Sequence, residues 1–205
     1  MEAPATDAPA RGRPRDPERD AAIFDAALSL VAEVGYDRMT IDAVAARAGV
    51  SKPTIYRRCP EGKAQLVVQA VLARHDEKPP MPDTGSLRGD LLAMVTRICT
   101  GISEDSKLAV GLTTQLRSSD ELCAIFREHV VAAERARWAL LLSRAAERGE
   151  LHGRPSELFV DVGPALIHTR MLITEPLDEA FATELVDGVL LPILTNPDTR
   201  RNPTP

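Results

Sequence analysis

The stretch from residue 38 to residue 58, RMTIDAVAARAGVSKPTIYRR, constrains the fold of this chain more than any other. It predicts two short helices joined by a turn at Gly49. The first helix has a single apolar stripe, formed by Ile41, Val44 and Ala45. Ser51 is expected to cap the second helix by accepting a hydrogen bond from an exposed N–H group. Pro53 fits the first turn of that helix, where a missing N–H group costs little.

The second of these helices is barely two turns long and carries polar and basic side chains at Thr54, Tyr56, Arg57 and Arg58. A helix of this length cannot hold a hydrophobic core of its own, because most helical stability comes from packing against other elements. It is suited instead to lying in the major groove of DNA. The two helices and their turn are therefore interpreted as a helix-turn-helix.

The distribution of charge supports this interpretation, although the whole chain has a formal net charge of −5. Residues 1–75 carry 11 basic and 10 acidic side chains, whereas residues 76–205 carry 14 and 20. Between residues 47 and 63, five basic side chains accompany one acidic side chain, Glu61, which gives this stretch a charge of +4. Phosphate binding depends on this local field rather than on the total charge.

The composition excludes several classes of protein. Hydrophobic residues make up 44% of the chain, enough for a core, but no apolar run reaches the roughly 18 residues of a membrane helix. The N-terminus lacks the apolar region of a signal peptide, and three cysteines without metal-ligand spacing favour reduced thiols in a cytoplasmic protein. No GxSxG, HExxH, paired CxxC or glycine-rich phosphate loop is present, so neither an enzyme nor a metal or cofactor site is expected.

The remaining sequence predicts helices and no strands, so the expected fold is all α. Helices are predicted over residues 17–34, 41–48, 52–58, about 62–76, 87–103, 105–117, 120–148, 155–174 and 178–194. A proline-rich run at 78–85 separates a first domain, residues 17–76, from a larger second domain, residues 87–196, and the fourth helix joins the two. Residues 197–205 are expected to form a disordered tail.

Residues 1–16 are rich in proline and alanine and are expected to form a disordered basic arm. Its Arg11, Arg13 and Arg15 have two interpretations. They can follow the minor groove of an A·T tract, where negative potential is concentrated, or they can be ordinary solvated charges. The sequence leaves both open.

The helix-turn-helix and its surroundings resemble the tetracycline-repressor (TetR) family of bacterial transcriptional regulators. The resemblance is carried by AALSLVAEVGYDRMTIDAVAARAGVSKPTIYRR and covers about residues 17–75, and segments at 144–151 and 175–181 are similar to an actinobacterial-type branch. It implies a homodimer that binds a palindromic double-stranded DNA operator and a small-molecule effector in a C-terminal ligand-binding and dimerisation domain. Repression is the commoner behaviour in this family, and an activator of the same fold is the alternative.

The resemblance also implies which side chains contact DNA. Thr40 and the Tyr56 hydroxyl match phosphate contacts, and Lys63 matches the basic residue at the start of the fourth helix. The groove-facing start of the recognition helix, the second helix of the motif, is matched by Ser51, Lys52, Pro53 and Thr54. The chain departs from the family after Cys59, where relatives have an aromatic residue and one residue fewer before the lysine. The extra residue is expected to shift Lys63 by part of a turn.

Several side chains of the recognition helix have more than one possible role. Lys52 and Arg57 have the reach and charge for phosphates or for O6 and N7 of guanine. Tyr56 is expected to pack its ring under the first helix while its hydroxyl emerges at the rim. Arg58 is expected either to contact a phosphate or to be solvated.

The last two predicted helices are apolar on nearly all sides, which indicates burial on more than one side. Two such helices from each of two chains can pack as a four-helix bundle, and a two-fold operator also requires a two-fold protein. A dimer interface is expected at Leu158, Val162, Leu166, Phe181, Leu185 and Val189. The alternative is a monomer with a central helical hairpin.

The long predicted helix at 120–148 has two apolar stripes, which suggests that it separates two packed environments, one of them a candidate cavity. Effector contacts are expected at Met94, Ile98, Phe126, His129, Trp138, His168 and Met171. His129 is also interpreted as a hydrogen-bonded core histidine, and Trp138 as a core or interface residue. His168 and Arg170 lie among apolar neighbours and need a ligand, an acid or a second chain as partner.

Cys59 follows Arg57 and Arg58 near a helix start, an arrangement that lowers the pKa of a thiol. A redox-responsive regulator is therefore an alternative function. The competing interpretation is a structural thiol, because no resolving cysteine is near in the sequence.

Overall fold

A computed structural model of the chain describes residues 17–76, 80–151, 155–156 and 158–195. These residues form helices and no strand, which confirms the predicted all-α class. The predicted basic arm with Arg11, Arg13 and Arg15 lies outside the described residues, as does the predicted tail at 197–205.

The helices lie close to their predicted bounds in the first half of the chain. They are α1 Pro17–Val34, α2 Ile41–Arg47, α3 Lys52–Arg58, α4 Lys63–Asp76, α5 Leu87–Glu104 and α6 Ser106–Leu116. The second half contains α7 Asp120–Phe126, α8 Ala132–Glu147, α9 Phe159–Leu172, α10 Glu179–Leu185 and α11 Leu191–Thr195. A π turn joins α7 to α8 at Arg127–Val131, and another joins α10 to α11 at Val186–Leu190.

Local sequence signals explain the ends of the first helices. Gly35 ends α1 with a positive φ of 81°, and its N–H group donates to the carbonyl of Val31 at 3.0 Å. Thr40 caps α2, because its hydroxyl accepts a hydrogen bond from the N–H group of Ala43 at 3.1 Å. These two signals fix the short connection between α1 and the helix-turn-helix.

The first hydrophobic core is built around α1, which packs against α2, α4 and α6. Ile23, Ala27 and Val31, spaced four residues apart on one side of α1, are fully or almost fully buried in it. Leu108 and Leu112 of α6 and Leu122 of α7 belong to the same core. The helix-turn-helix therefore shares its core with helices that lie beyond the proline-rich run.

The second core is formed by α5, α8, α9 and α10 with the π turn that follows α10. Trp138 of α8 is buried against Phe159 of α9, and the two rings meet edge to face with centroids 5.8 Å apart. Gly163 lies beside the indole, where an added Cβ would be 3.6 Å from the nearest ring atom. This distance is ordinary van der Waals contact, so α9 packs against α8 here with room for a methyl group.

A buried carboxylate fixes the start of α5 to the end of α8. Asp90 is fully buried and accepts hydrogen bonds from the backbone N–H group of Thr84 at 2.6 Å and from Arg148 at 2.8 Å. Burial raises the pKa of Asp90, but the hydrogen bonds from Thr84 and Arg148 outweigh it and leave the pKa below its ordinary value. The segment after the proline-rich run is thus held to the second core by a charged hydrogen-bond network.

The predicted helix over 120–148 is present without a break from Asp120 to Glu147, but it is not α-helical throughout. The π turn at Arg127–Val131 uses more residues per turn than an α-helix, so the buried positions after it are displaced along the sequence. Trp138, Leu141 and Ala145 are buried there, whereas Leu140 is exposed.

The last two predicted helices also differ in detail from the structure. The helix predicted from residue 155 begins at Phe159, and the final helix contains the π turn Val186–Leu190. No helix in the described part of the chain is long and apolar enough to span a membrane.

Candidate nucleic-acid interface

One fully buried side chain, Ile55, anchors α3, and most of the other side chains of this helix face outward. Ile55 is completely buried in the first core. Thr54 is half-buried, and the other residues of this segment that are predicted to contact DNA are exposed: Ser51, Lys52, Pro53, Tyr56 and Arg57. The geometry brings these side chains together on one outward surface, which we call the α3 face.

Ser51 does not make the predicted cap. It lies at the N-cap position of α3, but its side chain accepts no hydrogen bond from the helix backbone. Its hydroxyl instead bonds the hydroxyl of Thr54 at 2.8 Å, and the N–H group of Thr54 donates to the Ser51 carbonyl at 2.8 Å. The prediction is wrong because the Thr54 hydroxyl, one turn on, competes for the Ser51 oxygen.

Tyr56 does not pack its ring under the first helix, and that prediction is wrong. Its side chain is 43% exposed, because the adjacent Ile55 occupies the inward direction and successive helical residues are rotated by about 100°. Part of the phenol is thereby available at the α3 face.

Arg58 has neither of its two predicted roles. Its guanidinium forms an ion pair with Asp20 of α1, and its side chain is only 12% exposed. It also donates to the carbonyl of Thr54 at 3.4 Å. Arg57, the preceding residue, is exposed and has no ion-pair partner among the residues that the structure describes.

Lys52 is paired with an acid of the other helix of the motif. Its ammonium group lies 3.0 Å from a carboxylate oxygen of Asp42, the second residue of α2. This hydrogen bond raises the pKa of Lys52 above its ordinary value. The sequence reasoning missed Asp42, because nothing local indicates that two residues ten positions apart meet across the turn.

The extra residue before Lys63 is absorbed in a turn. Gly62 has a φ of 87°, and its N–H group donates to the Cys59 carbonyl at 3.0 Å, so that α4 still begins at Lys63. The Lys63 ammonium lies 4.2 Å from the centre of the Tyr36 ring and donates to the carbonyl of Asp37 at 3.2 Å. Burial lowers its pKa. Lys63 thus stabilises the α1–α2 connection, and its phosphate contact stays a prediction.

Cys59 lies at the end of α3 and does not have an activated thiol. It is completely buried, and its sulfur donates to the side-chain oxygen of Gln69 at 3.2 Å. Burial, and next the charge of Asp20, raise the pKa of Cys59 to about 11. The expected lowering of the pKa is wrong, because Arg57 points outward and Arg58 is neutralised by Asp20. The structure favours the structural thiol over the redox alternative.

Comparisons with known proteins agree with this geometry. Residues 23–70 match the family model described as bacterial regulatory proteins, tetR family. Residues 81–189, more than half of the chain, match the model of the tetracyclin repressor-like C-terminal domain. The chain belongs to the TetR family. It is a helix-turn-helix transcriptional regulator, and its resemblance to this family is confirmed.

Individual members of the TetR family show the same relationship along nearly the whole chain. A DNA-binding transcriptional repressor of Mycobacteroides abscessus is 36% identical over 192 residues, which span 91% of this chain and 98% of that protein. The crystal structure of a TetR family transcription regulator is 31% identical, with a TM-score of 0.66, and the match covers 84% of this chain and 97% of that one. FadR of Bacillus subtilis, whose crystal structure contains stearoyl-CoA, shares the fold with a TM-score of 0.61. It is 20% identical in sequence, and the match covers 85% of this chain and 97% of that chain.

The residues predicted to line a TetR-family effector pocket do not all come together. Met94, Ile98 and Trp138 belong to the second core. Phe126 packs against the first core, and His129 is exposed within the π turn Arg127–Val131, so these two lie apart from the second-core residues.

The remaining two predicted pocket residues both lie on α9. Met171 is buried. His168 is exposed, and its Nδ1 is 3.1 Å from the carbonyl oxygen of Pro164, one turn earlier in the same helix. Its role in a pocket stays a prediction.

The predicted dimer residues of this TetR-family chain divide into two groups. Leu158 and Leu166 are exposed, at 72% and 39%, and Val162 and Val189 are half-buried. Phe181 and Leu185 are buried within the single chain, and the guanidinium carbon of Arg170 lies 4.4 Å from the centre of the Phe181 ring. The interface prediction is wrong for Phe181 and Leu185, because both side chains pack in the second core.

Proposed function

We propose that this chain is an effector-responsive repressor that binds a palindromic operator as a homodimer. The observation that supports DNA binding best is the α3 face. Its exposed Lys52, Tyr56 and Arg57 project from a helix that one buried residue, Ile55, fixes to the first core. Rigid attachment matters, because side chains that contact base edges need a fixed register in the major groove.

The argument for a homodimer comes from α9, which has two apolar stripes. Phe159, Gly163, Ile167 and Met171 recur every four residues and are buried in the chain. A neighbouring stripe starts just before the helix with Leu158 and continues through Val162 and Leu166 to Ile173, which is 61% exposed. A second copy of the same chain would cover this outer stripe and the half-buried Val189 by two-fold symmetry.

Two-fold symmetry then sets the form of the operator. Each chain supplies one α3 face, and two such faces can enter successive major grooves when they are about 34–36 Å apart. The proposed operator is therefore a palindrome whose half-sites are separated by about one helical turn. An effector that favours a different spacing would release the DNA.

The proposed effector site lies in the second core beside Trp138. The indole is almost fully buried, and its Nε1 has no hydrogen-bond partner among the described residues. A buried N–H group without an acceptor costs about 1–3 kcal/mol, so an effector that supplies an acceptor there would bind favourably. With Met94 and Ile98 in the same core, the expected effector is largely apolar with a carbonyl or similar acceptor.

The DNA-binding proposal is tested by selecting bound duplexes from a random pool with the full-length chain. The expected result is a palindrome, bound by two chains, whose affinity falls in Arg57→Ala and Tyr56→Phe variants. Selection of no sequence, or of an unsymmetrical site bound by one chain, would contradict the proposal. Reporter expression from the selected operator, with and without the chain, distinguishes repression from the alternative of activation.

The effector proposal has its own test, because Trp138 is the single tryptophan of the chain. Stearoyl-CoA, which FadR of the same fold binds, is a suitable first probe. A probe that places an acceptor near the indole N–H group should both change the fluorescence of Trp138 and weaken operator binding. Probes that change neither signal are not effectors of this chain.

A further inference from the structure

The α3 face contains one cation that is already neutralised. The Lys52 ammonium and the Asp42 carboxylate are 3.0 Å apart, and both side chains are largely exposed beside Pro53, Tyr56 and Arg57. The pair therefore lies on the surface proposed to enter the groove, and does not belong to the core.

The pairing changes what Lys52 offers to DNA. Non-specific binding depends on the number of cations that neutralise phosphates, and a lysine already paired with a carboxylate adds almost nothing to that number. Arg57, by contrast, is exposed and has no ion-pair partner in the described part of the chain. The two neighbouring cations of the α3 face are thus unequal, because Arg57 keeps its full charge.

The pair also has the hydrogen-bonding pattern of one kind of base pair. It presents an ammonium donor and a carboxylate acceptor side by side. In the major groove a G·C pair presents the O6 acceptor of guanine beside the N4 donor of cytosine, and these atoms, bonded to each other, are about 2.9 Å apart. A T·A pair presents thymine O4 and adenine N6 in the same order, but the thymine methyl lies beside O4 where guanine has its N7 acceptor, so the Lys52 ammonium is matched better by G·C.

We infer that Asp42 is a specificity-determining residue, which together with Lys52 recognises a G·C base pair in each half-site and keeps binding to other DNA weak. This inference rests on the proposed entry of α3 into the major groove. A neutral pair adds affinity only at a base pair with which it makes both of its hydrogen bonds. At any other base pair it loses its hydration and gains no hydrogen bonds in exchange.

The test compares Asp42→Asn with Glu33→Gln in the full-length chain. Both changes remove one carboxylate charge and release a cation, because Glu33 is paired with Arg47 at 2.7 Å. Only Asp42→Asn releases a cation on α3. Binding is measured by fluorescence anisotropy, as a function of salt, to the selected operator and to a random-sequence duplex of the same length.

Asp42→Asn should strengthen binding to the random duplex several-fold and steepen the salt dependence by about 1 per bound chain, whereas Glu33→Gln should do so much less. The double variant Asp42→Asn with Lys52→Ala should return to the wild-type slope. Repeated selection with Asp42→Asn and with Lys52→Ala should relax the preference at the same G·C position.

Equal effects of Asp42→Asn and Glu33→Gln would overturn the inference, since charge alone would then explain them. If Asp42→Asn and Lys52→Ala both select the same sequence as the wild-type chain, the inference is also overturned. These outcomes are distinct from failure of the proposed function, in which the wild-type chain selects no DNA sequence.

Discussion

Arg58, the last residue of α3, forms an ion pair with Asp20 in the first turn of α1. The two side chains are only 12% and 23% exposed, so the pair is shielded from much of the solvent that weakens surface pairs. It joins the end of the recognition helix to the largest helix of the first core. The neighbouring Arg57 points outward. Of these two consecutive arginines, Arg58 therefore holds α3 in place and Arg57 is left to contact DNA.

This division predicts opposite phenotypes for the two arginines. Arg58→Ala should lower the free energy of unfolding by about 2 kcal/mol, because it leaves the Asp20 carboxylate partly buried without its partner. Arg57→Ala should change stability by less than about 0.5 kcal/mol and still weaken DNA binding. Urea unfolding and operator titration of both variants measure the two effects. Equal stability of the two variants would show that the Arg58 pair does not hold α3.

The sequence predicted those features of the fold that depend on neighbouring residues. Gly49 at the turn and Pro53 in the first turn of α3 are local signals, and both act where the sequence predicts. The contact of Arg58 with Asp20 joins residues 38 positions apart, and no periodicity reports it. The role of Arg58 was therefore assigned wrongly, because a distant acid decides where its side chain lies.

The second half of the chain was less predictable for a different reason. A helical pattern assumes a constant number of residues per turn, and the π turn at Arg127–Val131 breaks that assumption. His129 was consequently placed on a buried stripe that the structure does not have. The last helices also look apolar on all sides in the sequence, which cannot show that Phe181 faces its own core while Leu158 faces outward.

The three thiols should differ in reactivity. Cys59 and Cys99 are buried and burial raises the pKa of both, whereas Cys123 is half-exposed. A thiol-specific reagent at pH 8 should label one cysteine in the native chain and all three after unfolding. Cys123→Ser should abolish the native labelling, and mild oxidation of that variant should leave operator binding unchanged. Rapid native labelling of Cys59 would restore the redox alternative.

Alkaline pH should destabilise the chain through Cys59. Its pKa is about 11 in the folded chain, against an ordinary value of 9.0. The stabilisation from the neutral thiol is therefore complete below about pH 9 and is lost as the pH rises toward 11. The free energy of unfolding should fall over this window, and the fall should be smaller in Cys59→Ala. Identical pH profiles for the two proteins would show that the thiol does not titrate differently on folding.

Two glycines should respond in opposite directions to alanine. Gly163 is helical, and a Cβ there would make ordinary contacts of 3.6 Å and 3.7 Å with Trp138 and Leu190. Gly163→Ala should therefore stabilise the chain by about 0.5–1 kcal/mol. Gly62 has a φ of 87°, so Gly62→Ala should cost about 1 kcal/mol and loosen the start of α4. Thermal unfolding of both variants measures the difference, and destabilisation by Gly163→Ala would show that α9 has no room beside the indole.

The exposed stripe of α9 predicts how the chain should respond to a charge. Leu166→Arg should convert the dimer to a monomer, because an unpaired guanidinium would be buried in the apolar interface of two copies. Leu140→Arg is a matched control, since Leu140 is 43% exposed, close to the 39% of Leu166, but lies on α8. Sedimentation of both variants measures the oligomeric state, and urea unfolding confirms that each is folded. Operator affinity should fall steeply for Leu166→Arg alone, because a single α3 face contacts only one half-site. A dimer that survives Leu166→Arg, or dissociates equally in Leu140→Arg, would place the two-fold interface elsewhere on the chain.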